Sequence, residues 1–352
     1  MQRLSIQKLS QNKNIFVILI STTFLLLACL LAISIGSVHI PIKTIVTLFI
    51  DKLFFNEINE DYSSFEKIIF QLRLPRVLLA ALVGASLACA GAAIQGLLKN
   101  PLGDPYILGV SSGASVGAVI VLFFGLSLPV LATFTLPIVS ILFGFITIFL
   151  VLSFSQLVDK QLRVETIILT GVIFSSFLSS LVSLMLALSK DELRTIIYWL
   201  LGSVSVKGWP YILAILPFFL IGVLVLVLNS RALNSMAFGE ETAYHLGINM
   251  KRRKVIILIG TSILTGAAVA VSGIIGFVGL VIPHITRMFT GADHHLLIPI
   301  SLINGATFLV LTDLIARTVI APSEIPIGVM TALVGAPLFA YIFFRQRKER
   351  RV

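Results

Sequence analysis

Long apolar runs without charged residues constrain the fold of this chain more than any other feature. Six are clear: Ile15–Ile35, Val77–Leu98, Leu128–Ser155, Thr166–Leu188, Tyr211–Leu228 and Val255–Val271. A run of about 18 or more such residues is typical of a membrane-spanning helix, because in hydrocarbon each span must satisfy its own backbone hydrogen bonds. Composition agrees, since 12% of the residues are charged, against about 25% in a water-soluble domain.

Four further runs are less regular. They are Tyr106–Phe124, which is rich in Gly and Ser, Leu280–Phe289, which is too short to cross alone, Leu296–Ile315, which carries Asp313, and Ile327–Phe344. The short run requires irregular backbone beside it that other helices shield from lipid. The sequence therefore predicts an all-α integral membrane protein with about ten transmembrane helices, in one polytopic domain over residues 1–352.

The distribution of basic residues predicts the orientation. With the N-terminus inside, about two-thirds of the 26 Lys and Arg residues fall on inner segments. Both termini are therefore predicted to be cytoplasmic, and membrane orientation explains the net charge of +10 without a nucleic-acid partner. A cleavable signal peptide is the alternative for the first run, but that run is longer than an apolar signal core of about 7 to 15 residues.

Residues that would support chemistry are scarce in the spans. None of the five histidines belongs to an HExxH pattern, and no nucleophile or carboxylate pair lies at depth. A proton-coupled carrier would need a series of Asp, Glu or His residues through the spans, which is missing. The sequence predicts no catalytic residue, no metal site, no cofactor bound by this chain and no disulfide between Cys29 and Cys89.

A polar segment between two apolar runs predicts docking of an inner partner. Residues 237–249 read AFGEETAYHLGIN, which is too polar to span. Glu240 and Glu241 favour the positive end of a short helix, and Gly247 ends it after about two turns. The alternative is an interfacial amphipathic helix, which usually carries several Lys or Arg residues on its polar face. Here the first basic residue is Lys251.

Three arginines are predicted at the outer surface. Arg73 and Arg76 begin the second span, and Arg317 ends the ninth. A single arginine at a membrane rim commonly snorkels, whereas three together can bind carboxylates of an outer partner bidentately. Asp313 and Arg317 share a helix face at i,i+4, so a structural ion pair is an equal alternative.

Two outer segments receive different predictions. Residues 37–72 carry several acidic residues and are predicted to be a solvated loop. Residues 191–201 alternate charged and apolar residues and end in Tyr198 and Trp199. That pattern predicts a helix at the membrane interface, where aromatic rings are favoured.

Several motifs occur in a family-specific order: RLPR at 73–76, GAAIQ at 91–95, NPL at 100–102, LGVSSGA at 108–114, GFVGLVIPH at 276–284, EIPIG at 324–328 and GAP at 335–337. Together they resemble the permeases of bacterial ABC importers for iron siderophores, haem and cobalamin. The resemblance covers most of the chain from Arg73 onward, and the first 70 or so residues depart from it.

The resemblance implies partners on both faces of the bacterial cytoplasmic membrane. A second permease copy or a close paralogue would complete a dimer, two ATPase subunits holding ATP and Mg would bind inside, and a substrate-binding protein would bind outside. Residues 231–254 would form the coupling segment. Its matched positions are Gly239, Glu240, Glu241, Leu246, Gly247 and Ile248.

The same resemblance assigns the other site residues. Arg73, Arg76 and Arg317 would meet glutamates of the binding protein. The fifth span would line the translocation path through Ser175, Ser176, Ser179, Ser180 and Ser183, although hydroxyls at such spacing serve equally in helix packing. The expected cargo is a ferric siderophore, with haem or cobalamin as alternatives. An ion-coupled secondary transporter is the alternative of another class, and it would carry charged groups at the midplane.

Overall fold

The computed structural model describes residues 2–55, 62–129, 131–205, 207–237 and 249–349. Within these ranges the chain is helical and has no strand. The helices are α1 (Gln2–Ser34), α2 (Ile42–Ile50), α3 (Ser63–Lys67), α4 (Leu74–Leu97), α5 (Val110–Phe124), α6 (Thr135–Val158), α7 (Val164–Leu188), α8 (Leu193–Leu200), α9 (Gly208–Leu228), α10 (Ser230–Ala237), α11 (Met250–Ser272), α12 (Val278–Thr290), α13 (His294–Thr318) and α14 (Ile327–Glu349).

Seven helices in the described part of the chain are long and apolar enough to cross a membrane: α1, α4 with the turns before it, α6, α7, α9, α11 and α13. The apolar helices Val110–Phe124 and Ile327–Ile342 are shorter. Each of the ten runs found in the sequence falls on a helix. The all-helical membrane class is confirmed, while ten crossings, cytoplasmic termini and dimerisation stay predictions.

The bundle has central and peripheral helices. In their most apolar windows, 83% of the α4 span and 78% of α11 are buried, against 22% of α7 and of α9. Small residues explain the difference, because the α4 segment Gly84–Ala93 lets other backbones approach closely. Large apolar side chains such as Leu169 and Phe177 on α7 point outward, as helices facing lipid or a second subunit require.

The prediction of a solvated loop over residues 37–72 is wrong. That segment contains α2, α3 and a wider π-helical stretch, Ile68–Arg73, that leads without a break into α4. One face of these helices is buried in the bundle, where Ile40, Ile45, Leu48 and Ile69 are each 0% exposed, while other apolar residues such as Phe54 and Leu72 stay exposed. The π-helical turns precede Pro75, whose ring clashes with the carbonyl four residues earlier in a regular α-helix.

The irregular backbone expected beside the eighth run is present. Residues 273–277 are non-helical between α11 and α12, and Phe277 has a φ of 67°. The predicted helix near residues 191–201 is also present as α8, and Tyr198 is 53% exposed. Trp199 differs from the expectation of an interfacial ring, because only 8% of it is exposed and it packs into the bundle.

Candidate functional site

A close crossing of α4 and α13 positions the outer charged residues. A Cβ added at Gly84 would lie 2.2 Å from the Gly305 carbonyl oxygen, so two backbones touch here. Arg76 precedes Gly84 by eight residues, and Asp313 follows Gly305 by eight. At a rise of about 1.5 Å per residue, both lie about 12 Å from the crossing. Because the helices are antiparallel in the predicted topology, Arg76 and Asp313 reach the same level at the outer end.

Arg76 binds two carboxylates at once. Its Nε donates to Asp313 Oδ2 at 3.0 Å and its Nη2 donates to Asp313 Oδ1 at 2.8 Å. Its Nη1 and Nη2 also donate to Glu324 Oε1 at 2.7 Å and Oε2 at 3.0 Å. Such bidentate pairs are the strongest charge-assisted contacts that arginine makes. The side chain of Asp313 is 1% exposed, that of Arg76 13% and that of Glu324 40%.

Arg73 and Arg317 attach the outer end of α1 to this site. Arg73 is 6% exposed, and its guanidinium donates to carbonyl oxygens at the C-terminal end of α1, those of Ile33 at 2.5 Å, Ser34 at 2.9 Å and, just beyond, Val38. Arg317 donates to the Ala32 carbonyl, and its Nε lies 3.9 Å from Asp313 Oδ2. Both arginines therefore satisfy helix-end carbonyls that have no partner within α1.

An open cavity of about 830 Å³ lies over these residues. Arg73, Arg76, Lys207, Arg317 and Glu324 contribute its charged lining. Burial lowers the pKa of Lys207. Burial alone would raise the pKa of Glu324, but the hydrogen bonds and charge of Arg76 outweigh that effect and lower it. The three predicted docking arginines thus surround one cavity, and their docking role stays a prediction.

The predicted path serines lie on the outward face of α7. Ser176, Ser179, Ser180 and Ser183 are exposed, while Ser175 is half-buried. Ser180 Oγ donates to the Ser176 carbonyl at 2.9 Å, and Ser183 Oγ to the Ser179 carbonyl at 3.0 Å. The hydrogen bonds of Ser180 and Ser183 stay within α7. Whether the serines line a path stays a prediction.

The predicted coupling residues Gly239, Glu240, Glu241, Leu246, Gly247 and Ile248 lie outside the described residues. The helix before them, α10, is hydrogen-bonded to the start of α13. We call this contact the clasp; it joins Ser230 and Asn234 to residues 293–295. Asn234 Oδ1 accepts from the backbone N–H of His294 and contacts His294 Nδ1, both at 2.8 Å. Asn234 Nδ2 donates to Asp293 Oδ1 at 2.7 Å.

Two further bonds complete this clasp, which sequence reasoning missed. Ser230 Oγ lies 2.8 Å from His295 Nδ1. Asp293 caps α13 by accepting from the His295 N–H at 3.0 Å. Burial would raise the pKa of Asp293, but the hydrogen bonds from His295 and Asn234 outweigh it and lower that pKa. The available signal was Asp293 three residues before the apolar run that begins at Leu296, a typical N-cap position.

The fold and these sites define a class. Apolar helices that bury small-residue faces and carry their charged clusters near the helix ends are typical of a membrane permease. Among the described residues, no group of His, Cys, Asp or Glu could hold a metal ion. The family model of the FecCD transport family matches residues 24–345. The chain belongs to that family, as a transport component in the bacterial cytoplasmic membrane.

Individual relatives agree with this assignment. The protein YvrB of Bacillus subtilis (strain 168), named an uncharacterized ABC transporter permease protein, is 54% identical over 341 residues, which are 97% of each chain. The hemin transport system permease protein HmuU of Yersinia pestis is 40% identical over 286 residues, 79% of this chain and 84% of that one. A solved structure described as an inward-facing conformation of a metal-chelate type ABC transporter aligns with a TM-score of 0.81 at 35% identity, covering 92% of this chain and 97% of that one.

Proposed function

We propose that this chain is the permease subunit of an ATP-driven importer that moves a ferric siderophore into the cell. The observation that carries the proposal is the family match across residues 24–345. Relatives in this family are named for several metal chelates, including haem, so haem and cobalamin are the alternative cargoes. An extracytoplasmic binding protein delivers the cargo, and two ATPase subunits on the inner side supply the energy.

The position of charges supports an external energy source. In the described parts of α4, α6, α7, α9, α11 and α13, every Asp, Glu, His, Lys and Arg lies within about two turns of a helix end. His284 lies at the middle of the shorter α12, six residues from either end. An ion-coupled carrier needs ionisable groups near the midplane, so the family assignment and this distribution favour ATP.

A second copy of the chain is the proposed partner within the membrane. The α7 window is only 22% buried, and its exposed face mixes four serines with large apolar side chains. A path at the centre of a dimer would give those hydroxyls a polar environment while the apolar residues pack between subunits. Cross-linking through a cysteine at Ser179, in a chain with Cys29 and Cys89 replaced by Ala, tests this arrangement. Efficient cross-linking between copies is expected, and its absence in the active complex would contradict the proposal.

The inner partner is proposed to dock on Glu240 and Glu241. Replacing both with Lys should abolish co-purification of the ATPase, because the charge of the docking segment is reversed. Asp191 and Glu192 supply a matched control, since they are also an adjacent acidic pair but lie exposed on the predicted outer side. Full recovery of the ATPase with the Glu240→Lys, Glu241→Lys variant would refute the coupling assignment.

The cargo is tested by transport into proteoliposomes. The complex is reconstituted with its ATPase and candidate binding proteins, and uptake of a ferric siderophore, haem and cobalamin is measured with and without ATP. Uptake of the ferric siderophore alone is expected. ATP-dependent uptake of haem or cobalamin instead would replace the cargo, and uptake driven by an ion gradient without ATP would overturn the class.

A further inference from the structure

We propose that Glu324 is an exchangeable carboxylate, which occupies Arg76 in the undocked permease and is displaced there by an acidic side chain of the outer binding protein. This inference rests on the proposed function, because it requires that such a partner docks. Glu324 would then compete with the binding protein for Arg76. Its displacement would also transmit docking to the interior of the helix bundle.

The two carboxylates on Arg76 differ in how accessible they are. Asp313 is 1% exposed and occupies Nε and Nη2, whereas Glu324 is 40% exposed and occupies Nη1 and Nη2. The Asp313 pair fixes the guanidinium from within the bundle. The Glu324 pair lies toward solvent, where a carboxylate entering from outside can take over the same bidentate contact. The Nε–Nη2 edge of the Arg76 guanidinium is therefore permanently bound to Asp313, while the Nη1–Nη2 edge holds a replaceable partner.

The other arginines do not offer such an edge. Arg73 and Arg317 donate to carbonyls at the end of α1, and they are held inside the structure. They nevertheless line the same cavity as Arg76 and Lys207, so four cations face one resident carboxylate there. The cavity of about 830 Å³ is large enough for an entering side chain, and its positive excess attracts an acidic one.

Displacement of Glu324 would free a link that contacts the bundle interior. Glu324 belongs to the connection between α13 and α14, three residues before Ile327 begins α14. Immediately beyond, a Cβ on Gly328 would lie 2.3 Å from the Leu201 carbonyl oxygen and 2.5 Å from that of Ile274. The start of α14 therefore abuts both the end of α8 and the irregular backbone before α12. A shift of this connection would therefore displace both the end of α8 and the backbone before α12, because closely packed backbones cannot move independently.

Glu324→Gln tests the competition. The variant keeps the shape and hydrogen-bonding groups of the side chain but weakens its hold on Arg76. Affinity for the binding protein that supports transport should rise by up to about fivefold at low salt, the range of one exposed ion pair. Glu66→Gln is the matched control, because Glu66 pairs with Lys52 at 2.5 Å on the same outer face and its side chain is 26% exposed. It should leave the affinity unchanged.

A spin label tests the displacement itself. Ser323 is exposed beside Glu324, and it is replaced by Cys in a chain with Cys29 and Cys89 changed to Ala. Adding the binding protein should increase the mobility of this label, and Glu324→Gln should do so without the binding protein. Equal or weaker docking of Glu324→Gln, or an unchanged label on docking, would overturn the exchange while leaving docking intact. Failure of the unaltered permease to bind any candidate protein would overturn the outer partner and the exchange together.

Discussion

The contact between Gly84 and Gly305 offers a quantitative test of how the outer site is built. A Cβ at Gly84 would lie 2.2 Å from the Gly305 oxygen and 2.8 Å from the Cβ of Leu309. Ordinary contact requires separations near 3.4 Å, so Gly84→Ala must push α4 and α13 apart by about 1 Å in a densely packed bundle. Overpacking typically costs about 1–3 kcal/mol. The value should be near 3 kcal/mol here, because the opposing atom belongs to the backbone and has no rotamer to change.

Thermal melting of the purified protein in detergent measures this cost. At about 2 °C per kcal/mol for a chain of this size, a cost near 3 kcal/mol means that Gly84→Ala should lower the Tm by about 6 °C. Gly276→Ala is the matched control, because the same added methyl group would meet nothing within 4 Å and the backbone there does not require glycine. The control should melt within about 1 °C of the unaltered chain.

The same substitution should disturb Arg76, because the Gly84 crossing sets the level at which Arg76 meets Asp313. Asp313→Asn lowers the Tm of the unaltered chain by breaking that pair, and it should lower the Tm of Gly84→Ala by less. Equal melting of Gly84→Ala and Gly276→Ala would refute the close crossing. Full additivity of Gly84→Ala with Asp313→Asn would refute the link between the crossing and the ion pair.

Three further predictions concern the ends of the bundle. Burial raises the pKa of Asp104, because it disfavours the charged carboxylate. Asp104→Asn removes that charge and keeps an acceptor for the Tyr106 N–H, which now donates to Asp104 at 2.8 Å, so this variant should melt slightly higher at pH 7. Asp104→Ala removes the acceptor and should lose about 1 kcal/mol of unfolding free energy. Asn234→Ala leaves the His294 N–H without its acceptor, which should cost about 1–3 kcal/mol in a melting assay. The pKa of Glu324 is lowered from 4.5, so its stabilisation is present above that pH and lost as the pH falls below it. Glu324→Gln should therefore flatten the Tm profile in that acidic range.

The sequence predicts the helices well because each membrane span is a long apolar run that can be recognised without knowing the rest of the fold. All ten apolar runs coincide with helices, and the break before α12 follows from the shortness of its run. The segment around α2 was missed because Ile45 and Leu48, which are fully buried, belong to a helix of only nine residues. Such a helix is too short for a span, and the acidic residues after it suggested a solvated loop.

The outer site could be predicted only in part. Its arginines and the Asp313–Arg317 spacing are visible in the sequence, and a structural ion pair was one of the two interpretations offered. The main partner of Asp313 is nevertheless Arg76, which is 237 positions away in the chain. Sequence spacing within one helix cannot reveal a pair that depends on the crossing of two helices. The same reason explains why the Asn234 clasp, which joins α10 to α13, was missed.

Helix α13 connects the two ends, and a double-mutant cycle tests whether it transmits between them. The helix begins at His294 in the clasp beside the predicted coupling segment and carries Asp313 in the outer network. These two residues are 19 positions apart, about 29 Å at a rise of about 1.5 Å per residue. Asn234→Ala and Glu324→Gln share no partner, so their effects on unfolding free energy should add within about 0.5 kcal/mol. Their effects on stimulation of ATP hydrolysis by the binding protein should not add, because both act on one moving element. Additive effects in both assays would show that α13 is a static support.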